Sequence, residues 1–469
     1  MIALTLAEIA ALVDGQVDPG DADVVVTGAA FLDSRDPAPA GLFLAIAGEH
    51  VDGHDYAVRA VENGAAAVLG SRRTPAPTVV VADVERAVQL LAGEVLRRLR
   101  AAEPALCVLA VTGSQGKTTV KDMLGAVLAG AGETIATYGS FNNELGLPLT
   151  VLRAGAGTRF LVLEMGARGV GHIELLTRIA PPDISVVLNV GRAHLGEFGS
   201  QQAIAQAKGE LVEALSPDGV AVLNLDDPLV SAMAPRTRGQ VRTFGRTPGA
   251  AVRLEGLGSD DLGRPSFDLH AGSERVHVAL QLLGEHQALN AAAAATAALA
   301  AGVDLASIGA ALGAITALSK WRMELHERAD GLVVINDAYN ANPDSMRAAL
   351  ATLAEIGRRS GRTTVAVLGE MRELGPTSAA EHAALGSQAR SLGIDQVFVV
   401  GEGARGISDE DQTAMFFASV DAVTDAVRNN VVGTPGKQPV VLVKASRAAG
   451  LERVAEALLR TDEDEEAGP

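Results

Sequence analysis

The chain has 469 residues, 48% of them hydrophobic and 20% charged, with 51 glycines and only 3% aromatics. That length exceeds what a single core serves, so several domains are expected, packed mainly by Ala, Val and Leu. A formal net charge of −18 excludes a chain whose main business is coating nucleic acid or an anionic membrane, since both need a broad basic surface.

The first segment, "MIALTLAEIAALVDG", carries Glu8 and Asp14 and lacks a basic n-region, so it does not read as a signal peptide. Residues 1–82 hold short strand-like and helical stretches, "GLFLAIAG" and "HDYAVRAVENGA" among them. Val84, Val88, Leu91 and Val95 then recur at helical spacing. The strand "ALCVLAVTG" follows. Its Cys107 is the one cysteine in the chain; it allows no intramolecular disulfide, suits a reducing compartment and reads as a buried inert thiol.

Residues 111–124, "VTGSQGKTTVKDML", have the chemistry of a phosphate loop. Gly113 and Gly116 let backbone N–H groups converge on an anion, and the helix N-terminus adds its dipole. Lys117 can neutralise phosphate oxygens, and Thr118 can ligate Mg²⁺. The match to G-x-x-x-x-G-K-[ST] is incomplete, because Val111 stands where the first glycine belongs.

Apolar runs "FLVLEMG", "ISVVLNVG" and "GVAVLNLDD" then alternate with helical stretches. This is the grammar of a parallel sheet covered on both faces. Glu164 falls at one strand tip, where a carboxylate is costly unless it meets a cation, and a Mg²⁺ role follows. Asn189 and His194 fall at another tip. "ALNAAAAATAALAAGV" reads as a packed helix rather than a membrane span, Asn290 and Thr296 interrupting it. After residue 320 the grammar restarts with "LVVINDAYN", "TTVAVLGEM", "QVFVVGEG" and "PVVLVKAS". A helix is expected after Pro343, capped by Asp344, with Met346, Leu350, Leu353 and Ile356 on one apolar stripe. The acidic end "TDEDEEAGP" reads as disordered. The expected fold is therefore α/β, with two doubly wound units behind a smaller leading domain. Domains are placed at 1–82, 83–320 and 321–460, with a tail at 461–469. Chemistry is sought beyond the carboxyl ends of the strands.

The motifs "TGSQGKTT", "NNELGLP", "EMGA", "NVGRAHL", "AKGEL", "GEHQALNAAAA", "WRME", "NDAYNANPDSM", "VLGEMRELG" and "LVKASR" together resemble the Mur ligase family in order and spacing, over residues 27–455. The resemblance implies a substrate domain that binds a uridine nucleotide, a central P-loop ATPase with a mainly parallel sheet, and a Rossmann-like C-terminal domain that closes over the site. It implies a peptide ligase that forms a C–N bond in the synthesis of a cell-wall precursor. ATP would convert a carboxylate to an acyl phosphate, which an amine then attacks.

Carried over residue by residue, the resemblance assigns Gly113, Ser114, Gln115, Gly116, Lys117, Thr118 and Thr119 to the phosphate loop. Asn142, Asn143 and Glu144 go beside the γ-phosphate. Glu164 and His194 become Mg²⁺ residues, with Thr118. Lys208, on its own an ordinary helix-surface lysine, becomes the family's carbamylated lysine, helping to hold a second Mg²⁺. His286 and Asn290 lie near adenine, Arg322 in the C-terminal half of the nucleotide site, and Asn336 or Asp337 near the ribose. Ser34 and Arg35 contact the uridine nucleotide, and Lys444, Ser446 and Arg447 the substrates. Lys117, His194, Lys208 and Arg322 form the implied catalytic set.

The pair "EMGA" and "NDAYNANPDSM" resembles the members that join D-alanyl-D-alanine to UDP-N-acetylmuramoyl-tripeptide. A cytoplasmic monomer acting on small molecules, without nucleic acid or membrane insertion, is expected. Another Mur ligase, a folylpolyglutamate synthase and, from a different class, a P-loop kinase or NTPase stand as alternatives. Gln115, Ala448 and Ala449 depart from the commoner family residues, and no group is singled out to deprotonate the amine.

Overall fold

The computed structural model describes residues 1–48, 51–191, 198–316, 319–410, 414–432 and 438–460. His194 and the acidic tail 461–469 lie outside the described residues. Short β1 (Leu4–Thr5) and β2 (Val25–Val26) pair antiparallel. Next to them β3 (Ala30–Phe31), β4 (Leu42–Ala45), β5 (Ala67–Gly70) and β6 (Thr78–Val80) form a parallel sheet in that order.

The central sheet comprises β7 (Cys107–Thr112), β8 (Thr134–Ala136), β9 (Phe160–Glu164), β10 (Ile184–Val187), β11 (Val220–Asn224), β12 (Gln240–Gly245), β13 (Val252–Ser259), β14 (Pro265–Ala271) and β15 (Glu274–Ala279). Their order is β15-β14-β13-β12-β11-β10-β7-β9-β8. From β8 to β13 every pairing is parallel, whereas β13, β14 and β15 pair antiparallel. The parallel strands β9 and β10 are buried throughout, as continuous apolar runs require. In β14, buried Pro265, Phe267 and Leu269 alternate with more exposed neighbours, so this meander covers a core with one face.

The C-terminal sheet holds β16 (Glu324–Glu327), β17 (Val333–Asp337), β18 (Thr363–Leu368), β19 (Gln396–Val400), β20 (Met415–Phe417) and β21 (Pro439–Lys444). Its order is β16-β17-β21-β18-β19-β20, parallel except for β16 on the edge.

Cores lie on both faces of the two larger sheets. Helix Val84–Ala102 buries Val84, Val88, Leu91 and Val95 in a cluster that also holds Leu4, Leu42, Leu161 and Leu163. This cluster ties the leading segment to the central sheet. Each such side chain contributes about 1.5–3 kcal/mol by leaving water. The opposite face is covered by helices Lys117–Ala129 and His286–Ala300. In the second, Ala291–Ala295, Ala297 and Ala298 are all fully buried. Alanine leaves nothing to hold the helix off, so it approaches the nucleotide-loop helix closely. Among the described residues no helix is long and apolar enough to cross a membrane.

One local expectation is corrected. Helix Pro343–Ser360 is capped by Asn342, not Asp344. Asn342 Oδ1 accepts the Ser345 N–H at 2.9 Å, and Ser345 Oγ accepts the Asn342 N–H at 3.1 Å. With Pro343 fixed at the first helical position, the residue before it takes the extended backbone of a cap, and Asp344 falls inside the first turn. Met346, Leu350, Leu353 and Ile356 are buried on one stripe.

Candidate active site

The carboxyl ends of β7, β9 and β10 face those of β17 and β21 across a cleft of roughly 790 Å³. The phosphate loop runs from β7 into helix Lys117–Ala129. Gly116 has φ +79°, and a Cβ there would stand 2.6 Å from Asn290 Oδ1. Only glycine satisfies both the turn and the nearby helix. Asn189 at the end of β10 braces the loop: its Oδ1 accepts the Gln115 N–H at 3.0 Å, and its Nδ2 donates to the Gln115 carbonyl at 3.2 Å.

Lys117 Nζ donates to the Gly113 carbonyl at 2.8 Å. Desolvation holds its ammonium below the ordinary lysine range; Glu164 acts against that shift and Arg322 adds to it. The buried Glu164 carboxylate accepts from Thr118 Oγ1 at 2.8 Å and from Asn142 Nδ2 at 2.7 Å. A hydroxyl and an oriented carboxylate beside a phosphate loop are hard-oxygen donors, which suits Mg²⁺ with substrate oxygens and water completing its shell. Among the described residues no group of three His, Cys, Asp or Glu side chains is assembled for a metal. Lys208, at the same cleft, is buried, and its amine lies well below the usual range, first through burial and then through the charge of Lys117.

The C-terminal domain supplies the opposite wall. Arg322 NH2 donates to Ser140 Oγ at 2.9 Å, across 182 residues of sequence. Its guanidinium lies 4.3 Å over the Tyr339 ring, and its buried Nε has no hydrogen-bond partner among the described residues. Lys444 Nζ is held by Asp337 Oδ2 at 2.6 Å and by the Asn340 carbonyl at 2.9 Å. Asp337 Oδ1 also accepts the Met323 N–H at 3.1 Å. This buried pair fixes the end of β17 against β21.

The cleft thus brings together Gly113–Thr119, Asn142, Asn143, Glu144, Glu164, Lys208, His286, Asn290, Arg322, Asp337 and Lys444. Other sequence candidates fall outside its lining. Asn336 is buried and accepts the Ala338 N–H at 3.3 Å. Ser34 is buried, its carbonyl accepting from Asn63. Arg35 is paired with Asp33 on an exposed turn, and Leu32 alone of that stretch reaches the rim. Ser446 and Arg447 line a smaller neighbouring pocket.

Ser140 and Tyr339, which hold Arg322, were not singled out from sequence. Their signal was adjacency to "NNELGLP" and membership of "NDAYNANPDSM". Glu210 of "AKGEL" was missed too. It accepts the Gly171 and Glu174 N–H groups at 2.6 and 3.0 Å, capping helix His172–Ile179.

The Mur ligase family, catalytic domain model matches residues 31–102, the Mur ligase middle domain 111–298, and the Mur ligase, glutamate ligase domain 321–447. The UDP-N-acetylmuramoyl-tripeptide–D-alanyl-D-alanine ligase of Mycobacterium bovis is 45% identical over 508 aligned positions, covering 98% of this chain and 99% of that one. The Escherichia coli ligase of the same name is 34% identical with the same coverage. Among solved structures, MurF from Acinetobacter baumannii superposes with a TM-score of 0.85 at 30% identity, over 97% of this chain and 98% of that one. The Thermotoga maritima MurF ligase in complex with ADP gives 0.78 at 30% identity, over 94% and 99%. With its nucleotide loop, oriented carboxylate and facing C-terminal arginine in one cleft, and with likeness along its whole length, the chain belongs to the Mur ligase family.

Proposed function

We propose that this protein is an ATP-dependent ligase that joins D-alanyl-D-alanine to UDP-N-acetylmuramoyl-tripeptide in peptidoglycan precursor synthesis. The full-length likeness to ligases of that activity supports the reading. The observation that carries it is the placement of Lys117, Glu164 and Arg322 around one cleft. An amide cannot form unaided from a carboxylate and an ammonium group, so the carboxylate must be activated. The tripeptide carboxylate attacks the γ-phosphorus, ADP departs, the dipeptide amine attacks the acyl carbon, and phosphate leaves.

Lys117 and the Arg322 guanidinium are placed to neutralise phosphate oxygens from opposite walls. Asn142 holds the Glu164 carboxylate in orientation. Thr118 and Glu164 would hold one Mg²⁺, and Lys208, once carbamylated, would help hold a second, together with His194. When bound, these ions screen the repulsion between γ-phosphate and the incoming carboxylate. Carbamylation needs a neutral amine, and the downward shift of the Lys208 amine favours that form. Arg322, Tyr339 and Asn340 line the cleft, and on this reading their wall would shield the acyl phosphate from water.

The reading places uridine-nucleotide binding in residues 1–82, ATP chemistry in 83–320 and amine delivery in 321–460. A cytoplasmic monomer fits these small soluble substrates.

The test is ADP release and product mass with ATP, the tripeptide substrate, and either D-alanyl-D-alanine or single amino acids. ADP should form only with the dipeptide, and the product should gain its mass less one water. ADP release indifferent to any amine would replace this reading with a kinase or NTPase.

A further inference from the structure

The passage from the central domain to the C-terminal domain is short. Ser319 is bonded to the central domain: its N–H and its hydroxyl donate to Asp122 Oδ2 at 3.0 and 2.7 Å. Trp321 is bonded to the C-terminal domain. Its N–H donates to Glu324 Oε2 at 3.1 Å, its carbonyl accepts the Tyr339 N–H at 3.2 Å, and the Arg447 guanidinium lies 4.1 Å over its ring. Exposed Lys320 alone stands between these two anchored residues. Resting on the ATP-dependent reading above, we propose that Asp122 is a positioning residue for Arg322: by anchoring Ser319 to the nucleotide-loop helix, it sets where the arginine meets the phosphates.

The helix makes this connection stiff. Helix Lys117–Ala129 carries Lys117 and Thr118 in its first turn and Asp122 one turn further on. Whatever holds phosphate at the start of the helix therefore also fixes the Asp122 carboxylate. From Ser319 to Arg322 the chain reaches no further than about 10–11 Å when fully extended, so an anchored Ser319 confines the arginine close to the phosphate loop. Asp122 and Lys121 do not line the cleft, so they act on the nucleotide through other residues.

Charge keeps the anchor in place. Lys121 is buried, and its Nζ meets Asp122 Oδ1 at 2.5 Å and donates to the Thr137 carbonyl at 2.7 Å. A buried ammonium is costly without its counter-charge, so the carboxylate stays turned toward Lys121 with one oxygen while the other receives Ser319. Thr137 Oγ1 in turn accepts the Glu164 N–H at 3.1 Å. The Lys121–Asp122 pair thus joins the interdomain linker to the strand end that carries Glu164, as well as to the phosphate-loop helix.

The chain has one tryptophan, and it is Trp321, so intrinsic tryptophan emission reports on this linker alone. The experiment measures ATP affinity by calorimetry, with Mg²⁺ present, and Trp321 emission at saturating ATP, in wild type, Ser319→Ala, Ser319→Thr and Asp122→Asn. Ser319→Ala and Asp122→Asn should each weaken ATP binding by about threefold or more, the scale of one lost hydrogen bond, and their ATP-bound emission should differ from that of wild type. Ser319→Thr keeps the hydroxyl and should restore both. In an Arg322→Ala background, Ser319→Ala should weaken ATP binding no further, because the residue it positions is gone. Should Asp122→Asn fail to fold, with Lys121 deprived of its counter-charge, the Ser319 variants decide. Wild-type affinity and emission in Ser319→Ala, or a Ser319→Ala penalty of the same size with and without Arg322, would overturn the positioning role and leave the ligase reading standing. A wild type that binds ATP but makes no dipeptide product would overturn the ligase reading, and the affinity and emission measurements, which need ATP binding alone, would still decide the role of Asp122.

Discussion

The Lys208 amine is buried and pushed well below the ordinary value of 10.5, by desolvation and by Lys117. The unfolded chain therefore holds that proton more firmly than the folded one. Stability is penalised at low and neutral pH and recovers as pH rises through the window ending near the unfolded value. In buffer free of carbon dioxide, Lys208→Met should unfold at higher denaturant than wild type near neutrality. That gain should shrink as pH approaches 10.5. A gain that stays constant with pH would mean that the charge is not what burial disfavours. The same downward shift favours the neutral amine, the form that attacks carbon dioxide. Protein equilibrated with ¹³C-labelled carbon dioxide should show a carbamate resonance that Lys208→Arg lacks, and that variant should lose ligation.

At the scale of elements, the Asn342 cap is the clearest local dependence. Asn342→Ala removes one half of the reciprocal pair with Ser345 and should cost about 1 kcal/mol in urea unfolding, and Ser345→Ala should cost less, since Asn342 Oδ1 still accepts the residue 345 N–H. Sequence alone placed the cap two residues late, because Asp344 is as good a capping type as Asn342, and only the backbone before Pro343 decides between them. The parallel strands were legible because burial on both faces writes an unbroken apolar run, as in β9 and β10. The meander β13–β15 was not anticipated: it is half-exposed, and its alternating residues are interrupted by a register shift between Glu255 and Gly258. In the site, the phosphate loop and Glu164 were readable from strand-tip position. Lys208 was not, because a helix lysine carries no mark of burial until the neighbouring sheet is in place.

Across the whole molecule, what sequence hides is pairing between distant segments. Ser140 and Arg322 are 182 residues apart, and neither periodicity nor spacing links them. Contacts on either side of Arg322 in sequence hold it in place. Asp122, on the nucleotide-loop helix, accepts from the Ser319 N–H and Oγ at 3.0 and 2.7 Å. Trp321 and Met323 are left-handed at φ +59° and +48°, and their N–H groups donate to Glu324 and Asp337. Arg322 stands between two strained residues, aimed from one sheet at the loop of another. Its Nε lacks a partner among the described residues while NH2 already reaches Ser140, so a phosphate oxygen would add to one of the contacts between the two domains. Arg322→Ala should therefore weaken ATP binding by about tenfold or more, as loss of a buried charge-assisted contact does. It should slow ligation as well. Arg322→Lys keeps the charge but loses the planar fork and the stack on Tyr339, so it should fall between. Small-angle X-ray scattering separates this from simple loss of affinity: at saturating ATP the wild type should be more compact than Arg322→Ala. Equal compaction with unimpaired turnover would show that the domains are held together by contacts other than this arginine.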